Sequence, residues 1–143
     1  MATPHIDVDE NPDPGIRDAI LRPLRAFNES RAGVFKPELL AITLRDPESG
    51  AITGGLWGSS GAGWLYVDLL VVPEDFRGQG IGTELLRQAP DIARKRGCTG
   101  LFLSTGSFQA PRFYEKLGFT AFGTLPDYPP GHATTYYMKR LET

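Results

Sequence analysis

A chain of 143 residues with 17 acidic against 15 basic side chains carries a formal charge of −2, and without a run of five basic residues it argues against a general nucleic-acid surface. One cysteine, Cys98, excludes a disulfide framework and a cysteine-rich metal site and suits a reducing interior; uninterrupted apolar stretches such as 39–42 and 69–72 fall far below the ~20 residues of a membrane span. Met1-Ala-Thr-Pro-His-Ile lacks the basic and apolar parts of a signal peptide, so the expectation is a single soluble, cytoplasmic domain over residues 1–143, without metal or disulfide staples.

Residues 5–8 lean toward β structure and read as a first strand. Asp13-Pro14 then has the signature of a helix start, with Asp as N-cap and Pro at the first helical position, where its missing N–H costs nothing. Ile16, Ile20, Leu24 and Phe27 give that helix one apolar face, and Pro23 is expected to kink it or divide it in two. After a loop over 28–36, strands at 39–45 and 51–59 flank a turn at Asp46-Pro47-Glu48-Ser49-Gly50. Ser60-Gly61-Ala62-Gly63 turns the chain again into a strand over 64–72, completing an antiparallel meander.

Beyond a glycine-rich loop, Ile81, Leu85, Leu86, Ala89, Ile92 and Ala93 mark one helical face, with Gly97 just past its end and Pro90 expected to kink it late. Cys98 reads as a small, buried or half-buried residue entering a strand over 99–104, which runs parallel to 64–72 through a right-handed crossover. A helix over 108–117 stopped by Gly118, a strand over 119–125, a proline-bearing loop over 126–132 and a strand over 134–141 complete the order.

The loop between 72 and 83 is the informative stretch. Its glycines let backbone N–H groups approach and wrap an anion, and the helix start that follows adds unpaired donors and a favourable dipole. A dinucleotide fingerprint would place its third glycine at 83, where Thr83 stands, and a Walker loop would need Lys-Ser/Thr after its second glycine. What stands here instead is Val71-Val72-Pro73, then Arg77-x-x-Gly80-x-Gly82. This resembles the acyl-CoA loop of the GNAT superfamily of N-acetyltransferases, and Ala110-Pro-Arg-Phe-Tyr-Glu-Lys-Leu-Gly-Phe119 resembles that superfamily's A-x-x-F-Y-x-K-x-G-F segment.

The resemblance implies an α+β fold of α/β/α layers, whose mixed, mostly antiparallel sheet splays between its fourth and fifth strands, with acetyl-CoA as co-substrate and no metal. It implies that the pantetheine arm pairs with the edge of the fourth strand along Leu70, Val71 and Val72, and that the diphosphate lies on the loop of Arg77, Gly78, Gln79, Gly80, Gly82 and Thr83. It also implies a general acid at Tyr114. Many relatives hold the pantetheine amide with an Asn after the fifth strand, where this chain has Thr105, Gly106 and Ser107. Family members often dimerise through terminal strands, which makes a homodimer through 134–141 conceivable.

Amide formation from a thioester needs no protein nucleophile, because an amine held in place attacks directly. It needs the amine proton removed, the oxyanion met, for which a main-chain N–H near Leu70 or Val71 is placed, and the leaving thiolate protonated. Asp68, two residues before that donor, is the first candidate base, and His132 the second. Trp57, Trp64, Tyr66 and Tyr128, with Asp68 and Asp127 among them, suit an amine arriving as a cation. A small-molecule amine is the first expectation for the acceptor, and a protein lysine or N-terminus the second. A non-catalytic acyl-CoA-binding module and a nucleotide-binding regulator of another fold are the competing classes.

Overall fold

The computed structural model describes residues 2–142, and the chain divides into two compact units at Phe35/Lys36. In the first unit, α1 (Pro14–Ala32) starts as its residues dictate: the Asp13 carboxylate accepts from the Gly15 N–H at 3.3 Å and Pro14 opens the helix. Pro23 does not divide it, because one missing N–H leaves intact turns on either side of a 19-residue helix. Nor is there a strand at 5–8, where Ile6 is 96% and Val8 86% exposed. A short run interrupted by Asp7 has β propensity but no packed surface to be expressed on.

The second unit is a six-stranded sheet in the order β1-β2-β3-β4-β6-β5, made of β1 (Glu38–Arg45), β2 (Ile52–Gly61), β3 (Trp64–Val71), β4 (Gly100–Gly106), β5 (Thr120–Pro126) and β6 (Ala133–Arg140). All neighbours are antiparallel except β3 and β4, the fourth and fifth of the strands predicted from sequence. The meander turns follow side-chain chemistry. The Asp46 carboxylate accepts from the N–H groups of Glu48 and Ser49 at 2.8 and 3.0 Å, which holds its carboxyl below the ordinary range. Ala62 and Gly63 both take positive φ, as a two-residue type I′ hairpin requires. The strand over 133–140 lies between β4 and β5 with both edges paired, so it offers no edge to a second copy; the outer strands of the sheet are β1 and β5.

The core gathers on one face, where Leu86, Ala89 and Ala93 of α2 (Ile81–Lys95) pack with Leu40, Leu56, Leu65, Val67, Leu101, Leu103, Phe119 and Tyr137. Pro90 sits inside an unbroken α2. The helix ends in a Schellman motif, the Gly97 N–H on the Arg94 carbonyl at 3.0 Å and the Cys98 N–H on the Ala93 carbonyl at 2.9 Å. Its capping residue, Arg96, ties the helix end to the first hairpin by donating to the carbonyls of Glu38 and Leu39, each at 3.0 Å, and to Ser60 Oγ at 3.1 Å. Arg96→Ala is expected to cost about 2 kcal/mol, the range for hydrogen bonds from a charged donor, and Arg96→Lys to restore only part of it, since one ammonium cannot span the same acceptors. A urea titration checks this as a lowered midpoint at unchanged m. No helix of the described residues is long and apolar enough to cross a membrane.

Candidate active site

β3 and β4 pair over only three positions, Trp64↔Gly100, Leu65↔Leu101 and Tyr66↔Phe102, and then part. The cause lies on the other side of β3. Its register with β2 jumps from Gly58↔Val67 to Trp57↔Leu69, leaving Asp68 as the extra residue of a β-bulge, and a bulge bends and twists the strand that carries it. Beyond it β4 stays paired with β6 as far as Gly106↔Thr134, while residues 67–71 of β3 present an unpaired main-chain edge to the gap. The bulge also shifts the alternation, so that Leu65, Val67 and then Leu70 pack toward the core and Leu69 and Val71 are exposed.

The loop that follows meets the gap at its open end. Gly78 at φ 82° and Gly80 at φ 81° occupy the left-handed region, and Gly80 caps α2 with no side-chain bond. The first helical bond runs from the Glu84 N–H to the Gly80 carbonyl at 3.0 Å; the N–H groups of residues 78–83 find no acceptor among the described residues. Gly82 is small for a different reason: a Cβ there would stand 3.1 Å from Phe113 Cζ and 3.6 Å from Val72 Cγ2. It is the point where the start of α2, the end of β3 and the Phe113 ring converge. The Arg77 side chain turns back, its Nε donating to the Val72 carbonyl at 3.2 Å, so it closes the base of the loop.

Phe113 belongs to α3 (Pro111–Lys116), shorter than the helix predicted over 108–117 because residues 108–110 form a turn on the end of β4. α3 ends at Gly118, φ 89°, in a second Schellman motif: the Gly118 N–H bonds the Glu115 carbonyl and the Phe119 N–H the Tyr114 carbonyl, each at 3.1 Å. Tyr114 packs among Phe113, Phe119 and Tyr137 at ring-centroid distances of 5.2, 6.0 and 6.1 Å. Burial lifts its phenol above the ordinary value of 10.0. No buried side-chain polar atom lacks a partner among the described residues, so the Tyr114 hydroxyl, which bonds none of them, keeps some access to solvent.

A free strand edge and a run of N–H groups without internal acceptors thus meet at one end of the gap, where Phe113, whose ring lies 5.2 Å from that of Tyr114, packs beside Gly82. Residues 13–119 match the acetyltransferase (GNAT) family. The chain belongs to that family. It is 46% identical to an acetyltransferase of Agrobacterium fabrum over 123 residues, 86% of this chain and 89% of the other. It is 38% identical to the blasticidin-S acetyltransferase of Streptomyces morookaense over 119 residues, 82% and 88% of the two chains. The crystal structure of an acetyltransferase from Bacillus cereus superimposes with a TM-score of 0.85 at 33% identity, over 94% of this chain and 98% of that one.

In this GNAT acetyltransferase the remaining side chains take distinct places. Asp68 is exposed on the bulge, and its charge, after burial, helps raise the phenol of Tyr66, as Tyr136 also does. The Tyr66 ring stacks on Phe102 at 4.8 Å. Trp64 stands at the far, paired end of the gap, edge-on to Phe102 at 6.3 Å with the Arg140 guanidinium 5.9 Å above it, so it serves sheet packing. Leu70, Val71 and Val72 border the gap, and Gln79 and Thr83 complete the loop between the glycines. His132, Asp127 and Tyr128 lie on the β5–β6 loop, which Ser107 latches to the end of β4 through bonds of 2.8 and 3.1 Å with Ala133. The His132 ring meets Phe108 edge-on at 5.2 Å.

Thr105 and Gly106 are engaged by a residue with no sequence signature. Gln109 Oε1 accepts from Thr105 Oγ1 at 3.0 Å and from the Gly106 N–H at 2.7 Å, tying down the turn that leads into α3. Glu115, Tyr137 and Lys139, which hold α3 itself, were equally invisible in sequence, because their bonds span 22 residues. Among the described residues no group of three or more His, Cys, Asp and Glu could hold a metal.

Proposed function

We propose that this acetyltransferase carries an acetyl group from acetyl-CoA to the primary amine of a small molecule, by direct attack within a ternary complex, as one cytoplasmic domain. The observation that carries the reading is the meeting of two unfilled main-chain surfaces, the N–H groups of residues 78–83 and the free edge of β3 over 67–71. The first suits a diphosphate and the second an amide-bearing arm added like a strand. Acetyl-CoA supplies the activated acyl carbon and a thiolate leaving group. Asp68 takes the amine proton, directly or through water, as the new C–N bond forms; a main-chain N–H of Leu70 or Val71 meets the oxyanion. As the C–S bond breaks, Tyr114 gives its proton to the sulfur.

Identity to a blasticidin-S acetyltransferase over most of both chains favours a small-molecule acceptor. So does Tyr66, which lies near both Asp68 and the half-exposed Tyr136 and suits a cationic amine. Thiol release with acetyl-CoA and a panel of small amines, against peptides offering lysine or a free N-terminus, tests the assignment. Turnover on peptides alone makes the acceptor a protein, and tight acetyl-CoA binding with no turnover on either panel leaves a binding module. Asp68→Asn is expected to lower kcat by about 10²-fold with little change in KM for acetyl-CoA. An unchanged kcat would move the base to His132, to be read next in His132→Gln.

A further inference from the structure

α3 has six residues, too few to hold its own shape, and its orientation decides where the Tyr114 hydroxyl points. β6 supplies what the helix lacks. Lys139 Nζ donates to the Leu117 carbonyl at 2.9 Å and pins the C-terminal end in place, which still leaves the helix free to turn about that point. Tyr137 removes this freedom by touching two successive side chains at once. Its hydroxyl donates to Glu115 Oε1 at 3.1 Å, and its ring lies 6.1 Å from that of Tyr114, with the planes 31° apart. Successive helical side chains project about 100° apart, so a group that engages both sets the rotation of the helix. Tyr137 is itself 3% exposed and in register with Leu103 of β4, a fully buried core residue, so the reference for that rotation is the rigid side of the gap.

We infer that Glu115 and Tyr137 form a positioning pair for Tyr114, locking the rotation of α3 so that the Tyr114 phenol faces the opening between β3 and β4. The inference rests on the reading of Tyr114 as proton donor. Burial, then the hydrogen bond and charge of Glu115, raise the Tyr137 phenol above 10.0, which keeps it a donor through neutral and mildly alkaline pH.

The test is a double-mutant cycle on the full chain. Tyr137→Phe keeps the ring and removes the hydroxyl; Glu115→Ala, at an exposed helical position, removes the acceptor without touching the core. Each is expected to lower kcat about fivefold to tenfold, with KM for acetyl-CoA unchanged, and Glu115→Gln, which keeps Oε1, to recover most of the loss. In a Tyr114→Phe background neither substitution should lower kcat further, because the group they position is gone. An unchanged kcat in both single variants overturns the inference and leaves Tyr114 as the acid. An equal loss with and without the Tyr114 hydroxyl also overturns it, because the pair would then act independently of Tyr114. Tyr114→Phe at full kcat removes the acid and the positioning pair together.

Discussion

Tyr114→Phe is expected to lower kcat by about 10²-fold, or about 2.7 kcal/mol of barrier, while KM for acetyl-CoA stays within about twofold. The substitution keeps a ring of the same shape among Phe113, Phe119 and Tyr137, so the packing that holds α3 survives and only the proposed proton donor is lost. A phenol held above its ordinary value is a weak acid toward a thiolate whose conjugate acid lies near about 8.5, which is why the expected effect sits at the low end for general acid catalysis. The pH profile gives the second signature. A general acid works while protonated, and burial raises this phenol, so the alkaline limb of kcat should lie above pH 10 and vanish in Tyr114→Phe. That limb must be read on folded protein. Tyr66, Tyr114 and Tyr137 all hold their protons more tightly folded than unfolded, so their contribution to stability is full below about pH 10 and is lost as pH rises through the folded values. A kcat profile of the two proteins, with near-ultraviolet dichroism at each pH, decides the matter; a shared alkaline limb would remove Tyr114 from the proton path.

Gly80→Ala should act on binding. At φ 81° and ψ 8° the residue is left-handed, where a side chain costs about 1–2 kcal/mol. Nothing stands within 4 Å of the added Cβ, so the change acts through the backbone conformation that presents the loop N–H groups. The Kd for acetyl-CoA is expected to rise about 10–100-fold, as 1.4 kcal/mol is tenfold and both strain and lost contacts contribute. An acetyl-pantetheine thioester without the diphosphate should bind as it does to the parent protein, which isothermal titration measures directly. Equal weakening of both ligands would place the defect in the fold instead of the anion cradle. Gly82→Ala provides the contrast: its methyl group presses on Phe113 at 3.1 Å, beside Tyr114, so its effect should appear in kcat more than in Kd.

The loop and the helix after it were legible because their determinants are local. Positive φ at Gly78 and Gly80, the apolar period of α2 and the turn chemistry of Asp46 and Ala62-Gly63 are each set within a few residues, and the apolar face read from Ile81 to Ala93 lies on the helix Ile81–Lys95. Local reading misled at 5–8, where propensity stood in for partners, because a strand exists only in a ladder. The bond from Arg77 to the Val72 carbonyl leaves no trace in the sequence, because it depends on how the 3₁₀ turn at Glu74–Phe76 folds the chain back.

Local periodicity and turn residues were enough to give the order of all but the first strand, and the segments 71–82 and 110–119 carried the resemblance to the GNAT superfamily that the family match bears out. The opening of the sheet was settled only in three dimensions, because the bulge at Asp68 is a mismatch between β2 and β3 that neither strand specifies alone. The brace on Tyr114 belongs to the same class, since Glu115 and Tyr137 meet only after β6 has paired with β4, and a contact between residues so far apart in the chain leaves no periodic trace in either segment.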